Sequence, residues 1–197
     1  DNRPYGHANY VMIKNMYPKG HPYSWTTIGE LKDLQNATLK DVRDFYEKWY
    51  GPNNATMVIA GDFNKDEVKQ LVQKYFGEIK RGPENKDPET QLVSLESTKR
   101  VYHEDNFATS PRLSMAFPTV NQRHNDAPAL ELLGQLLGDG KKAPLYKIIV
   151  EDKKLAPSLY AYSGTQEIAG TFDIVATGFP TTDLTDIEKA VHEAFDL

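Results

Sequence analysis

The sequence predicts an α+β fold of two related αβ-sandwich domains, the first truncated at its N-terminus and the second at its C-terminus. Three observations carry that prediction. The chain has 197 residues, room for two small domains. Residues 81–91 hold two prolines, a glycine and a run of charges with no large apolar side chain, which marks a linker between a domain at 1–80 and a second at 92–197. Each half also closes on the same succession, at 58–76 and again at 175–195: a β-forming run, a tight turn with Gly and Phe, an acidic helix start and an amphipathic helix. Strand-turn-helix units are common in αβ proteins, so the repeat is compatible with duplication without requiring it. Truncation is inferred from the ends, because Asp1 rather than Met opens the chain and a helical pattern runs to Leu197 without Gly or Pro to stop it.

Residues 5–17 suit a helix with Tyr10, Ile13 and Tyr17 near one face, ended by Pro18-Lys19-Gly20 and followed by the polar, aromatic loop His21-Pro22-Tyr23-Ser24-Trp25. Thr38 with Asp41 resembles a capping box. Val42, Phe45, Tyr46 and Trp49 then fall at i, i+3, i+4 and i+7, the spacing of one helix face. Gly51-Pro52-Asn53-Asn54 is a turn, and residues 55–60 form a short apolar run that predicts a buried strand. Asn64 is placed to cap a helix whose stripe is Val68, Leu71, Val72, Tyr75 and Phe76, with Gly77 at its end.

In the second half, residues 92–103 and 112–117 are predicted as strands, the latter alternating Leu113, Met115 and Phe117 against Arg112, Ser114 and Ala116. A helix follows Asp126, carries Leu130, Leu133 and Leu137 and stops at Gly138. Pro144 opens another with Leu145, Ile148 and Ile149 on its face. Two further strands are predicted at 159–163 and 171–179, the second with Phe172, Ile174 and Ala176 on one face.

Composition excludes several functions. The formal charge is -5 and the 23 Lys and Arg residues are scattered, so no basic stripe exists to neutralise nucleic-acid phosphates. No apolar run reaches the roughly 20 residues that a membrane span needs. With no cysteine there is no disulfide, thiolate metal site or cysteine nucleophile. Two histidines begin like H-E-x-x-H, but His103-Glu104 is followed by Phe107 and His192-Glu193 by Asp196 where the second His must stand. Gly138 to Ala143 imitates a dinucleotide loop but follows a helix rather than a strand. Asp62, Asp66 and Glu67 read as ordinary carboxylates at a helix N-terminus rather than a cation site. The sequons at Asn36 and Asn54 acquire meaning only in a secretory setting.

Several stretches together resemble the pitrilysin/insulinase family of zinc metallopeptidases. They are Asn2-Arg3-Pro4-Tyr5-Gly6, Gly20-His21-Pro22-Tyr23 with Ile28-Gly29, Tyr50-Gly51-Pro52-Asn53-Asn54 running into Ala60-Gly61-Asp62, and Lys74-Tyr75-Phe76-Gly77. In the second half, Leu136-Leu137-Gly138, Leu145-Tyr146-Lys147 and Leu155-Ala156 continue the likeness, so it spans essentially the whole chain. The resemblance implies a half-molecule of two αβ domains of the metallohydrolase-like type, closing with a second half around a chamber that admits unfolded peptides. It also implies zinc in the parent protein, held by an inverted H-x-x-E-H motif and a further Glu.

None of those residues is expected in this chain. His7, His21, His103, His124 and His192 never form the motif, and the third ligand would stand upstream of Asn2. The positions aligned with the family's substrate-gripping Arg and Tyr hold Val150 and Pro157. The expectation is therefore a fragment with no catalytic, cofactor-binding or metal-ligating residue, inert alone, whose partners are the missing N-terminal segment and the second half of the parent. The loop from His21 to Trp25 is expected to face or support the cleft, with His21 in a packing role. Two alternatives stand beside this reading: a noncatalytic structural subunit of the same family, as in respiratory-complex core proteins, and a peptide-binding module that uses an exposed sheet edge. Apolar surface uncovered by truncation would favour homo-oligomers. The family's settings point to a bacterial cell envelope or a mitochondrion, the periplasm being preferred.

Overall fold

The computed structural model describes residues 2–196. In chain order its elements are α1 (Ala8–Met16), α2 (Leu31–Asn36), α3 (Leu39–Trp49), α4 (Lys65–Phe76), β1 (Arg112–Thr119), α5 (Ala127–Gly138), α6 (Pro144–Tyr146), a π-helical continuation of α6 (Lys147–Asp152), β2 (Ser158–Ser163), β3 (Gly170–Thr177) and α7 (Leu184–Phe195). Short 3-10 turns stand at Pro22–Ser24 and Pro52–Asn54. Two compact units result: Ile28–Asp87, and the residues up to Thr27 together with those from Pro88 onward. This grouping differs from the division at 81–91 read from composition, because α1 packs beside residues of the second half.

The unit Ile28–Asp87 is helical. Thr38 and Asp41 close a capping box on α3: the Asp41 amide donates to Thr38 Oγ1 and the Thr38 amide donates to Asp41 Oδ2 at 2.8 Å. Asn64 Oδ1 accepts from the Asp66 and Glu67 amides, satisfying two orphan donors at the start of α4. Asn53 ties residues 82–83 down, accepting from the Gly82 amide and donating to the Pro83 carbonyl, both at 2.8 Å. Gly51 is required there, since a Cβ on it would lie 2.8 Å from the Gly82 nitrogen. The strand predicted at 55–60 does not form: the segment enters no ladder and Val58 is 83% exposed. A strand needs a neighbour for its backbone groups, and among the described residues this unit has no other strand. The apolar stripes of α3 and α4 accordingly lie open, with Phe45, Tyr46, Leu71 and Tyr75 all exposed.

The second unit is built on a three-stranded antiparallel sheet in the order β1-β3-β2, so the last strand of the sequence is central. Alternation sorts β3 into two faces. Phe172, Ile174 and Ala176 join Leu145, Ile148 and Ile149 of the α6 segment and Ile187, Ala190, Val191 and Ala194 of α7 in the main core. Helix α5 closes against β2 through glycines, because a Cβ on Gly134 would stand 3.0 Å from the Ala161 carbonyl oxygen and one on Gly138 2.9 Å from Ala161 Cβ. The π-helical turn closes on a Lys153 amide bonded to the Ile148 carbonyl, and it brings both Ile148 and Ile149 to the core.

The opposite face of the sheet is partly covered by α1, whose Ile13 and Met16 cluster with Tyr17, Ala169 and the partly buried Ala116 of β1. Tyr5 precedes this helix in a left-handed conformation (φ 59°) that three contacts hold in place. Its amide donates to Asp105 Oδ2, its hydroxyl donates to the Ser110 carbonyl, and its ring lies 3.5 Å beneath the Arg112 guanidinium. The strand predicted at 92–103 is likewise absent. Val93 and Leu95 pack beside α1, Lys99 Nζ donates to the Asn15 carbonyl, and Arg100 makes two bonds of 2.7 and 2.6 Å to Glu188 of α7. Side chains rather than a ladder hold that segment. Among the described residues no helix is long and apolar enough to cross a membrane.

Candidate functional site

His21, in the loop that the sequence singles out, stands at the centre of a set of hydrogen bonds and ring contacts. Its Nδ1 accepts from the Tyr23 amide at 3.0 Å, which leaves Nε2 as the protonated nitrogen, donating to the Gln91 carbonyl at 2.9 Å. The ring stacks on Tyr17 with centroids 4.6 Å apart, and Tyr23 stands edge-on to both rings. The Tyr23 hydroxyl accepts from the Ile168 amide, and the Gln91 amide donates to the Ile168 carbonyl. His21 is buried, and both of its nitrogens are occupied in joining residues 21–23, 91 and 168. The arrangement packs three segments together and leaves no imidazole lone pair for a metal.

Behind Tyr17 lies a buried carboxyl. Asp173 sits on the central strand with 7% of its surface exposed, opposite Ala116 on one side and Tyr162 on the other. The Thr171 hydroxyl donates to its Oδ2 at 2.6 Å. Burial pushes the Asp173 carboxyl above the usual carboxylate range, against the Thr171 bond, which favours ionisation. Tyr17 and Tyr162 are raised as well, both first by burial; Tyr23 and then the Asp173 charge add to this at Tyr17, and the Asp173 charge adds to it at Tyr162. Sequence alternation assigns Asp173 to the polar face of its strand, and nothing local reveals that a helix some 160 residues earlier covers that face.

The other histidines are dispersed. His7 and His103 approach edge-on with ring centroids 6.4 Å apart. His103-Glu104 lies in a coil beside Asp105, whose carboxylate is held below its ordinary range by amide donors, Phe107 foremost. His192 is on α7, 4.0 Å from Glu188, the carboxylate that grips Arg100. His124 Nδ1 accepts from the Asp126 amide. Among the described residues no three His, Asp or Glu side chains stand together as a metal site. The Asp66 and Glu67 amides serve the cap of α4, and Gly138 to Ala143 is the turn between α5 and α6. Val150 packs against the main core, while Pro157 is exposed. A shallow cleft of about 350 Å³, lined by Gln122, Pro128, Glu131, Ser163 and Thr165, opens between α5 and the β2–β3 connection.

With one helical unit, a second unit whose sheet is backed by helices, and no cluster of three metal-ligating side chains among the described residues, comparison with known proteins becomes decisive. The peptidase M16 inactive domain matches residues 36–197. The chain belongs to that family. The M16 chain is similar to the zinc protease PqqE of Helicobacter pylori, with 29% identity over 194 residues that cover 97% of this chain and 43% of that protein. It is also similar to the beta subunit of the mitochondrial-processing peptidase of Caenorhabditis elegans, at 28% identity over 61% of this chain and 26% of that protein. A crystallised Helicobacter pylori protease superposes with a TM-score of 0.76 and 27% identity over all of this chain and 48% of its own. The fold also matches a peptidase M16 inactive domain from Pseudomonas fluorescens (TM-score 0.78, 21% identity, 99% of this chain and 46% of that one) and pitrilysin (0.67, 18%, 99% and 22%). The M16 chain thus spans less than half the length of the curated relatives it matches. The pitrilysin-type α+β fold read from the sequence is the one it has, and its relatives are metallopeptidase-family proteins.

Proposed function

We propose that this chain is the part of a zinc metalloendopeptidase half that lies downstream of the metal motif, inert alone and a wall of the peptide-degrading chamber in the whole protein. One observation carries the reading: 97% of the chain aligns with a zinc protease while covering 43% of it. The chain's own residues do not fit zinc, because both nitrogens of His21 are occupied and, among the described residues, no three His, Asp or Glu side chains stand together, the His7 and His103 pair included. Zinc ligands and the water-activating base then belong to chain outside these residues.

For the whole protein the proposed domain division stays at 1–80 and 92–197, although in this chain the residues up to Thr27 group with those from Pro88 onward. Strand partners for residues 55–60 and cover for α3 and α4 would be supplied by preceding chain, restoring a first αβ-sandwich. We place the whole protein in a bacterial cell envelope, a reading that cell fractionation tests.

The experiment compares this chain with the whole protein. Zinc is measured by elemental analysis after dialysis, and cleavage of a quenched fluorescent peptide is followed with and without chelator. Stoichiometric zinc and chelator-sensitive cleavage in the whole protein, with neither in the 197-residue chain, is the expected result. A whole protein without zinc or cleavage would transfer the reading to the noncatalytic subunit class. Zinc held tightly by this chain alone would overturn it.

A further inference from the structure

We propose that Asp173 is a proton-controlled latch for the N-terminal segment: with the carboxyl protonated, α1 and the loop through Trp25 stay closed over the sheet, and ionisation loosens them. The proposal is independent of the peptidase reading.

The geometry comes first. Asp173 lies on the central strand, fixed by ladder bonds to β1 and β2 on both sides, so water cannot reach its carboxyl by moving the strand. Its cover is lighter. Ile13, Met16 and Tyr17 pack with Ala169 and with Ala116, the direct cross-strand partner of Asp173. Facing groups offer no compensating charge. From the α1 side come Tyr17 and, stacked behind it, His21 with Tyr23; from β2 comes Tyr162; from β3 comes the Thr171 hydroxyl. Ala116 is the β1 residue opposite, and Arg112, further along that strand, donates its Nε–H to Thr177 Oγ1. Among the described residues no cation is within ion-pair distance of Asp173. An ionised carboxylate there has one hydrogen bond in a site nearly sealed from water, and lifting the cover is the shortest route to hydration.

The sign follows from burial, which raises the carboxyl's affinity for its proton in the closed form. A raised acid favours the closed form below its ordinary value, near 3.9, and that preference is lost as pH climbs through the closed-form value. Between those limits the opening equilibrium rises about tenfold per pH unit, then levels off.

Trp25 stands in the latch loop, and Trp49, the other of two tryptophans, belongs to the helical unit. Trp49→Phe therefore leaves Trp25 as sole indole reporter. Its fluorescence is followed from pH 4 to 8 together with hydrogen exchange at α1 and, as an internal reference, at α7. The expected result is a one-proton transition in Trp25 and a loss of α1 protection relative to α7 as pH rises. Asp173→Asn should abolish that transition, and Thr171→Val, which removes the donor favouring ionisation, should move it to higher pH. If Asp173→Asn does not fold, the Thr171→Val displacement decides. A transition that survives Asp173→Asn unchanged, one that Thr171→Val leaves in place, or α1 protection constant relative to α7 would each overturn the latch.

Discussion

The two strand-turn-helix closings share a sequence pattern and meet different fates. In α7 the stripe residues Ile187, Ala190 and Val191 are wholly buried against a sheet face. In α4 the corresponding stripe includes Leu71, Tyr75 and Phe76, all exposed, and the run at 55–60 that should precede it as a strand pairs with nothing. Both helices have good caps, so local signals do not separate them. Cover separates them, because β3 has strands on either side and helices across its face, whereas residues 55–60 have no described strand beside them. Periodicity names the face that seeks burial, and only the rest of the fold says whether it is buried.

The largest test of that contrast is a matched truncation. Ile149→Ala, at a fully buried position of the main core, should lower stability by about 2 to 5 kcal/mol through lost transfer energy and a residual cavity. Leu71→Ala, on the open stripe of α4, should cost less than about 1 kcal/mol. Denaturant titrations read through Trp25 for the first and Trp49 for the second keep the two units apart, and equal losses would erase the distinction. Next in size, Gly138→Ala forces a Cβ to within 2.9 Å of the Ala161 nitrogen, a backbone atom that cannot swing away. Destabilisation of about 1 to 3 kcal/mol is expected from that clash, whereas at Gly140 a Cβ would meet nothing within 4 Å and only the strain of its positive φ of 82°, about 1 kcal/mol, should be felt. A neutral Gly138→Ala would show that α5 does not approach β2 as closely as described.

Elements whose signals are local were legible beforehand. The Thr38–Asp41 box, the Asn64 cap, the Leu145, Ile148 and Ile149 face and the alternation of Phe172, Ile174 and Ala176 each depend on residues within a few positions of one another. Features that depend on distant chain were not. Residues 92–103 carry β-forming side chains, yet their anchors are Asn15 and Glu188, far away in sequence. The loop of His21 stands out by composition, but its role rests on carbonyl and amide groups of Gln91 and Ile168, which have no side-chain signature. The union of α1 with the second half, and with it the burial of Asp173, is equally nonlocal. Absence of the metal motif, by contrast, is a statement about sequence order and needed no structure to be made.

The smallest effect separates the same two helices by their caps. Helix α7 is capped by Asp183, whose carboxylate accepts from the Thr185 amide at 2.8 Å and is held below its ordinary range, by that amide first. Helix α4 is capped by Asn64, which does not titrate. A depressed carboxylate stabilises above its unfolded value, near 3.9, and loses that contribution as pH falls through the folded value. Acidification from pH 6 to 2.5 should therefore fray the first turn of α7, seen as faster amide exchange at Thr185 after correction for intrinsic rates, while the Asp66 and Glu67 amides of α4 keep their relative protection. Asp183→Asn should remove the difference, because an amide oxygen accepts the same bond at every pH. Parallel fraying of both helices would mean that acid acts on the units as wholes, and that the burial of α7 rather than its cap governs how its first turn opens.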